Sequence, residues 1–393
     1  MTANRVSYHL DLRGPSIPST TACSASATAL HLAVQAIRAG DCDAAVVAAC
    51  QLNFGLEDWL QYSGAKVLSP DGKCKPFSQF ADGFGRGEGV ASVVLKSLER
   101  AQTDGDKIYG VIIGTGLNSA GFLAPVSAPV AEVQADAMKR AFQGTGYVPM
   151  EVDYIEAHAT GTSAGDPTEA NWIGENFKRP NSLIRVGSVK GNVGHLEAVS
   201  FFASISKACS IFSTGLIPPT VNVTQSTRNP KIRWDEHQLH VVTETTHLRE
   251  LEDPKRALIA IAGSGIGGVN GHCLLEEPPK ATSTPRGYYN GSLCLLVGGG
   301  LSLRSATAVC ESLQESSGSV AALARTYGRR SRSMTWKSYA IHHPKGGLSR
   351  FASPTLAPRS PPPLVSFLWS RRSTSPNGKT TVQGFPFLSA EHP

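Results

Sequence analysis

No run in this 393-residue chain approaches 18 consecutive apolar residues, so it offers no membrane-spanning helix. The opening Met1-Thr2-Ala3-Asn4-Arg5 leads into no apolar core segment, which excludes a cleavable secretory leader there. The eight cysteines form no Cys-x-x-Cys pair and are too sparse for a disulfide scaffold. A reducing cytosol is the compartment that pattern implies. Metal-binding spacing is also missing. His237 and His240 flank no further ligand set and read, with Glu236, as solvated surface. The Gly-rich stretch Ala81–Val90 (ADGFGRGEGV) is not followed by Gly-Lys-Ser/Thr, so it is no phosphate-cradling loop.

Charge is unevenly spread. Residues 1–280 carry 24 Lys and Arg against 28 Asp and Glu, whereas residues 281–393 carry 13 against 3. The net charge of +6 therefore belongs to the tail and carries no argument for nucleic-acid binding by the body. Residues 346–393 are rich in Ser, Pro and Arg, with PRSPPP at 358–363, and read as disordered or aberrant sequence.

The chain is organised around Ser19–Gly40. Ala29, Leu30, Ala33, Ala36 and Ile37 recur at helical spacing, Ser and Thr lead in, and Gly40 supplies the stop. Cys23 stands at the head of that helix. Unpaired backbone N–H groups and the positive dipole end favour a thiolate there and can hold an oxyanion. A lone cysteine in an Ala-rich helix is more often simple packing. Two histidine motifs further on reverse that judgement: Glu156-Ala157-His158-Ala159-Thr160-Gly161-Thr162, leading to Gly165-Asp166-Pro167, and Lys190-Gly191-Asn192-Val193-Gly194-His195-Leu196-Glu197.

The rest alternates strand and helix patterns. Strands are predicted at 43–50, after the Gly-rich stretch up to 98, and at 109–116, 152–157, 184–189, 257–262 and 269–276. Helices are predicted at 130–142, 167–177 and 195–212. Runs apolar on both faces indicate an α/β architecture. Further strands and helices are expected at 293–297, 302–315 and 320–330.

One cysteine and two histidines, each histidine after a β-rich run and among glycines, resemble the active site of a ketosynthase. More closely, residues 3–345 resemble the β-ketoacyl synthase domain of a type I polyketide synthase, with DGFGRGEG as a structural marker. The resemblance implies a thiolase-like fold of αβαβα layers with two similar halves. It also implies a ketosynthase body at 1–279 and a ketosynthase-to-acyltransferase linker at 280–345. About 150 upstream residues are implied by the size of such a domain, so the N-terminal half is expected to be incomplete. Residues 4–18 are expected to be the strand that approaches the nucleophile and pairs across a homodimer. No Gly-x-Ser-x-Gly follows PPPLVSF, so the acyltransferase is absent.

The implied reaction is a decarboxylative condensation of acyl and malonyl groups carried as phosphopantetheine thioesters on an acyl carrier protein. No cofactor, metal, nucleic acid or membrane is involved. Cys23 is the implied nucleophile. His158 and His195 would hydrogen-bond the malonyl thioester and its enolate. The backbone N–H groups of Cys23 and Ile266 would form the oxyanion hole. Lys190 and Glu197 would support the site, and Thr160 and Thr162 would bind the pantetheine arm. Thr20, Ala159, Gly191, Ser264 and Ile266 depart from the family pattern without removing a catalytic group. A fatty-acid ketosynthase or a thiolase is an alternative, the latter disfavoured because it uses a second cysteine. A non-catalytic fragment or pseudoenzyme, acting only as an interaction module, is the alternative from another class.

Overall fold

A computed structural model describes residues 1–126, 128–180, 182–249, 255–279, 294–317, 320–331, 334–343 and 346–356. PRSPPP and the rest of residues 357–393 lie outside these residues. The chain divides into two compact units, Met1–Thr282 and Ser283–Pro393.

The first unit runs α1 (Thr2–Leu10), α2 (Ala25–Ala39), β1 (Ala44–Gln51), α3 (Leu56–Gly64), β2 (Gly89–Lys96), α4 (Leu98–Asp104), β3 (Val111–Ser119), α5 (Ala131–Phe142) and β4 (Tyr154–Glu156). It continues with α6 (Gly165–Phe177), β5 (Ile184–Gly187), α7 (Lys190–Val193), α8 (Ser200–Thr214), β6 (Leu216–Ile217), β7 (Leu239–Val241), β8 (Thr246–His247), β9 (Leu258–Ser264) and β10 (Val269–Glu276). The main sheet has six strands in the order β3-β10-β9-β4-β5-β7. β9, β4, β5 and β7 are parallel, and β10 runs antiparallel to both of its neighbours.

Residue alternation along these strands builds two cores. Ile155, Ala260 and Leu274 point to one face and pack with Met138 and Phe142 of α5 and Trp172, Ile173 and Phe177 of α6. Tyr154, Ile259, Ile261, Cys273 and Leu275 point to the other and pack with Leu30 of α2 and Phe202, Ile205 and Ile211 of α8. Each of these large side chains gains about 1.5–3 kcal/mol from leaving water. A strand with both faces covered reads as one apolar run, which is why β4, β9 and β10 are legible in the sequence.

Beyond α2 and α8 lies a second sheet, the antiparallel pair β1–β2. Val47, Ala49, Ala91, Val93 and Leu95 pack inward. The four layers in sequence are α5/α6, the six-stranded sheet, α2/α8 and β1–β2, which is the thiolase-like αβαβα order over four layers. The fold is thus mixed α/β, as the sequence predicts.

Three expectations are corrected. Residues 4–18 do not form a strand. Thr2–Leu10 is helical and the chain to Thr21 is irregular. Helix satisfies its own backbone, whereas a strand without a neighbour leaves a row of donors and acceptors unpaired. β1 and β2 are not buried on both faces: Val46, Val90 and Val94 are exposed, the last two at 72% and 73%. Their alternation is hidden in the sequence because both faces are apolar. His237 is not solvated but 4% exposed. Its ring lies against Gly174 of α6, where any side chain would collide with it.

The second unit holds β11 (Cys294–Gly300), α9 (Leu303–Glu315), α10 (Val320–Arg330), β12 (Trp336–His343), β13 (Gly347–Leu348) and β14 (Thr355–Leu356). β11 and β12 pair antiparallel. Ser302 caps α9 by accepting the N–H of Ser305. His342 of β12 is half-buried and His343 is exposed.

Candidate active site

Cys23 sits in a single 3-10 turn, Ala22–Ser24, that runs straight into α2. Ala22 adopts φ +49°. A left-handed alanine is held only where its surroundings enforce it, and the loop after β9 does so. A Cβ on Gly265 would stand 2.6 Å from the Thr21 carbonyl oxygen and 2.7 Å from Ser24 Oγ. Only glycine lets the Gly265-Ile266 backbone press onto the cysteine turn. That leaves the backbone N–H groups of Ile266 and of Cys23 itself near enough to the Cys23 sulfur to favour its ionised form. Ser200 Oγ, at the start of α8, donates to the Cys23 carbonyl at 3.1 Å.

The sequence favours an ionised Cys23, and this expectation is corrected. Burial pushes the Cys23 thiol up to about 11, and the Glu197 carboxylate pushes the same way. Lys190 and the two backbone N–H groups pull it down by less. Removing a thiolate from water costs more than a helix start returns here.

β4 ends at Glu156 and delivers His158. The two histidine rings face each other edge to face, with centroids 5.5 Å apart at 90°. His158 Nδ1 accepts the backbone N–H of Ser264 at 3.3 Å, so His158 and Cys23 are fastened to adjacent residues of one loop. His195 is clamped through its backbone. Its N–H donates to the Gly85 carbonyl at 2.7 Å, and its carbonyl accepts the Gly87 N–H at 2.9 Å. This explains the GRGEG stretch: a Cβ on Gly85 would run into the Gly72 backbone, and one on Gly87 would lie 2.6 Å from the Val193 carbonyl. Phe84 meets the His195 ring edge to face at 5.0 Å. Burial, then the Lys190 charge, holds both imidazoles well below their usual range. Both are neutral near pH 7, the form that donates one N–H and accepts at the other nitrogen.

Lys190, the first residue of α7, is 2% exposed. Burial pulls its ammonium down, opposed first by Glu156 and Glu169. Glu197 adopts φ +45°. Its carboxylate accepts Arg86 Nε at 2.7 Å and the Tyr62 hydroxyl at 3.0 Å. The Arg86 guanidinium lies 4.6 Å from the Trp59 ring centroid and 5.1 Å from that of Tyr62. Thr160 is buried. Thr162 is half-buried, and its Oγ1 accepts the Gly165 N–H at 3.2 Å. Ile266 is 45% exposed.

Several residues of this site carry no signal in the sequence. Arg86 and Tyr62 hold Glu197 from more than 100 residues away in the chain, with no spacing to mark them. A buried triad behind His158 is equally silent. Glu156 Oε2 accepts Lys207 Nζ at 2.8 Å and the Tyr154 hydroxyl at 2.7 Å, while Oε1 accepts the Val189 N–H at 2.6 Å. A lone lysine in an otherwise apolar helix (Lys207 in α8) is the one available hint. Among the described residues no group of three or more His, Cys, Asp or Glu could hold a metal ion.

Residues 1–101 match the family model for the beta-ketoacyl synthase N-terminal domain, 109–224 its C-terminal domain, and 229–341 the ketoacyl-synthetase C-terminal extension. A highly reducing polyketide synthase of Strobilurus tenacellus is 47% identical over 92% of this chain and 13% of its own length. The lovastatin diketide synthase of Aspergillus terreus is 41% identical over 75% of this chain and 12% of its own length. The ketosynthase from module 6 of the bacillaene synthase from Bacillus subtilis superposes with a TM-score of 0.75 at 32% identity, covering 86% of this chain and 60% of that one. The chain thus spans a small part of the curated relatives it matches. It belongs to the beta-ketoacyl synthase family, as a ketosynthase domain of the polyketide synthase kind.

Proposed function

We propose that this chain carries out the condensing step of polyketide assembly, a decarboxylative Claisen condensation on thioesters. The observation that carries the reading is the Gly265-Ile266 backbone pressed onto the Cys23 turn while the adjacent Ser264 N–H holds one of two neutral, buried imidazoles. In the first half-reaction the Cys23 thiolate attacks the acyl thioester of an acyl carrier protein. The negative charge developing on the carbonyl oxygen is taken by the N–H groups of Cys23 and Ile266. The C–S bond to the carrier breaks, and its thiolate leaves with the proton that Cys23 gave up.

In the second half-reaction a malonyl thioester enters. His158 and His195 donate N–H bonds to its thioester carbonyl. The carboxylate leaves as CO2, and its bonding pair becomes the enolate that the two N–H groups hold. The enolate carbon attacks the acyl group on Cys23. A 3-oxoacyl thioester forms on the carrier and the Cys23 thiolate is released. Lys190 supplies fixed positive charge, and Glu197 sets the thiol's ionisation. Thr160 and Thr162 lie on the loop that would receive the pantetheine arm.

The acyl carrier protein and a second copy of this chain are the proposed partners. The cytoplasm is the proposed compartment, supported by eight unpaired cysteines. No helix among the described residues is long and apolar enough to cross a membrane.

The test is a two-stage assay with full-length chain, an acyl thioester and then malonyl-carrier protein. Release of CO2 with formation of the 3-oxoacyl-carrier supports the reading. Acylation that persists in Cys23→Ala, or decarboxylation that persists undiminished in His158→Ala, would refute it.

A further inference from the structure

The side chain of Arg86 is 0% exposed. Its backbone bridges to His195 in parallel register, within the Gly85–Gly87 stretch that clamps that histidine. Its side chain serves a different residue. Nε donates to Glu197 Oε1 at 2.7 Å, while Nη1 and Nη2 have no hydrogen-bond partner among the described residues. A second carboxylate, that of Asp58, stands 3.7 Å from Nη2 and is 53% exposed. Trp59 and Tyr62, about one turn apart on α3, cover the guanidinium instead. A buried arginine with one charge-assisted bond and two unpaired nitrogens is costly to keep for stability alone.

Glu197 gives the arrangement a use. The turn Glu197–Val199 packs on the cysteine turn Ala22–Ser24, and the next residue, Ser200, holds the Cys23 carbonyl. Glu197 takes a left-handed backbone at the head of that turn, a conformation kept only where the surroundings enforce it. Arg86 on Oε1 and the Tyr62 hydroxyl on Oε2 engage both carboxylate oxygens and leave the group one orientation. The ionisable groups acting on the sulfur are then Glu197, Lys190 and Tyr62, with His158 and His195 neutral. Glu197 opposes the thiolate and Lys190 favours it. Arg86 is the cation bonded to Glu197, and at that range an opposite charge offsets much of the carboxylate's field.

We infer that Arg86 is a positioning residue for Cys23 that acts through Glu197: it fixes the carboxylate against Tyr62 and offsets its charge beside the nucleophile's turn. Without Arg86 the carboxylate loses its counter-charge, and a thiolate beside it is disfavoured. Without Glu197 there is no charge to offset, and the loss of Arg86 has no route to the sulfur. The two residues therefore act non-additively on Cys23. Lysine is a poor substitute, because a point charge on a flexible stem neither stacks flat on Trp59 nor offers an Nε donor. The inference rests on the condensation reading for the acylation rate and not for the ionisation of the thiol.

The test uses the full chain, comparing wild type, Arg86→Met, Arg86→Lys, Glu197→Gln and the double variant Arg86→Met/Glu197→Gln. Iodoacetamide alkylation of Cys23 is followed by peptide mass spectrometry between about pH 7 and 10. The melting temperature and acylation by a short acyl thioester are measured beside it. In Arg86→Met the profile should move to higher pH, with alkylation at a given pH slower by about threefold. Arg86→Lys should fall between Arg86→Met and wild type. The double variant should follow Glu197→Gln, faster than wild type near neutral pH. It should also melt above Arg86→Met, because no buried charge is left unpaired. Acylation should rank the variants as alkylation does. A profile unmoved in Arg86→Met while its melting temperature falls would mean a structural role only and would overturn the proposal. A shift of equal size from Arg86→Met in the Glu197→Gln background would overturn it too. If Arg86→Met does not fold, Arg86→Lys against wild type and the double variant against Glu197→Gln decide the same question. If wild type alkylates at Cys23 but neither acylates nor condenses, the condensation reading fails, and the alkylation comparison alone still decides the role of Arg86.

Discussion

The backbone N–H of Ser264 donates to Nδ1 of His158 at 3.3 Å. An imidazole nitrogen that accepts carries no proton, so the proton of neutral His158 resides on Nε2. The ring is therefore a one-directional donor whose remaining N–H is available to a ligand. His158→Ala is expected to lower malonyl decarboxylation by about 10²–10⁴-fold, the usual worth of such a group, and to leave Cys23 acylation in place. Measuring CO2 release and the Cys23 adduct on the same sample separates the two.

The elevated Cys23 thiol makes a second prediction. With a value of about 11, alkylation by iodoacetamide should keep rising by about tenfold per pH unit between about pH 7 and 10, where an ordinary thiol levels off near 8.5. Glu197 raises that value, so Glu197→Gln should lower it and speed alkylation near neutral pH. A stopped pH series followed by mass spectrometry checks both the slope and its displacement.

The buried ion pair between Lys207 and Glu156 carries a third. Lys207→Met leaves the Glu156 carboxylate without its cation in a place where that carboxylate is 0% exposed. A loss of about 3–5 kcal/mol is expected from breaking such a pair on one side. The double variant Lys207→Met/Glu156→Gln should recover part of it. Denaturant titration of both variants measures the difference.

His272 supplies the fourth. Its ring is boxed by Phe142, Trp172 and Phe177 at 6.3–6.4 Å, and Nε2 has no partner among the described residues. Burial pulls the imidazole from 6.5 down to about 3. A depressed folded value means that protonation favours the unfolded chain. The contribution of neutral His272 is thus intact above about pH 6.5 and is lost as pH falls towards 3, at up to about 1.4 kcal/mol per unit. His272→Leu should flatten that part of the stability profile. Thermal melts of both proteins between pH 4 and 8 give the comparison.

The strands of the main sheet and helices α5, α6 and α8 are legible in the sequence because each buries a face with a clean period. Cys23 stands out at the head of a run with helical spacing, and His158 and His195 because glycines lie near each of them. The close contacts at Gly265 and Gly85 show why glycine is there. What a sequence cannot show is which distant side chain meets which loop. Arg86 reaches Glu197, Lys207 reaches Glu156, and Glu169 reaches the His158 backbone by the fold alone. The helix at Thr2–Leu10 reads as a strand because its residues suit either state and a strand's neighbour cannot be seen locally. The thiol's direction of shift is hidden for a related reason: dipole and burial act in opposition, and only the second depends on packing unseen in the sequence.

The central claim is that Cys23 is the nucleophile of a working oxyanion site. The most direct measurement is acylation of the purified chain by a short acyl thioester, read by intact and peptide mass spectrometry beside Cys23→Ala. A single adduct confined to Cys23, absent from the variant and forming faster as pH rises, is the predicted result. A soluble, folded sample that forms no adduct, or one whose adducts spread equally over other cysteines, would contradict it.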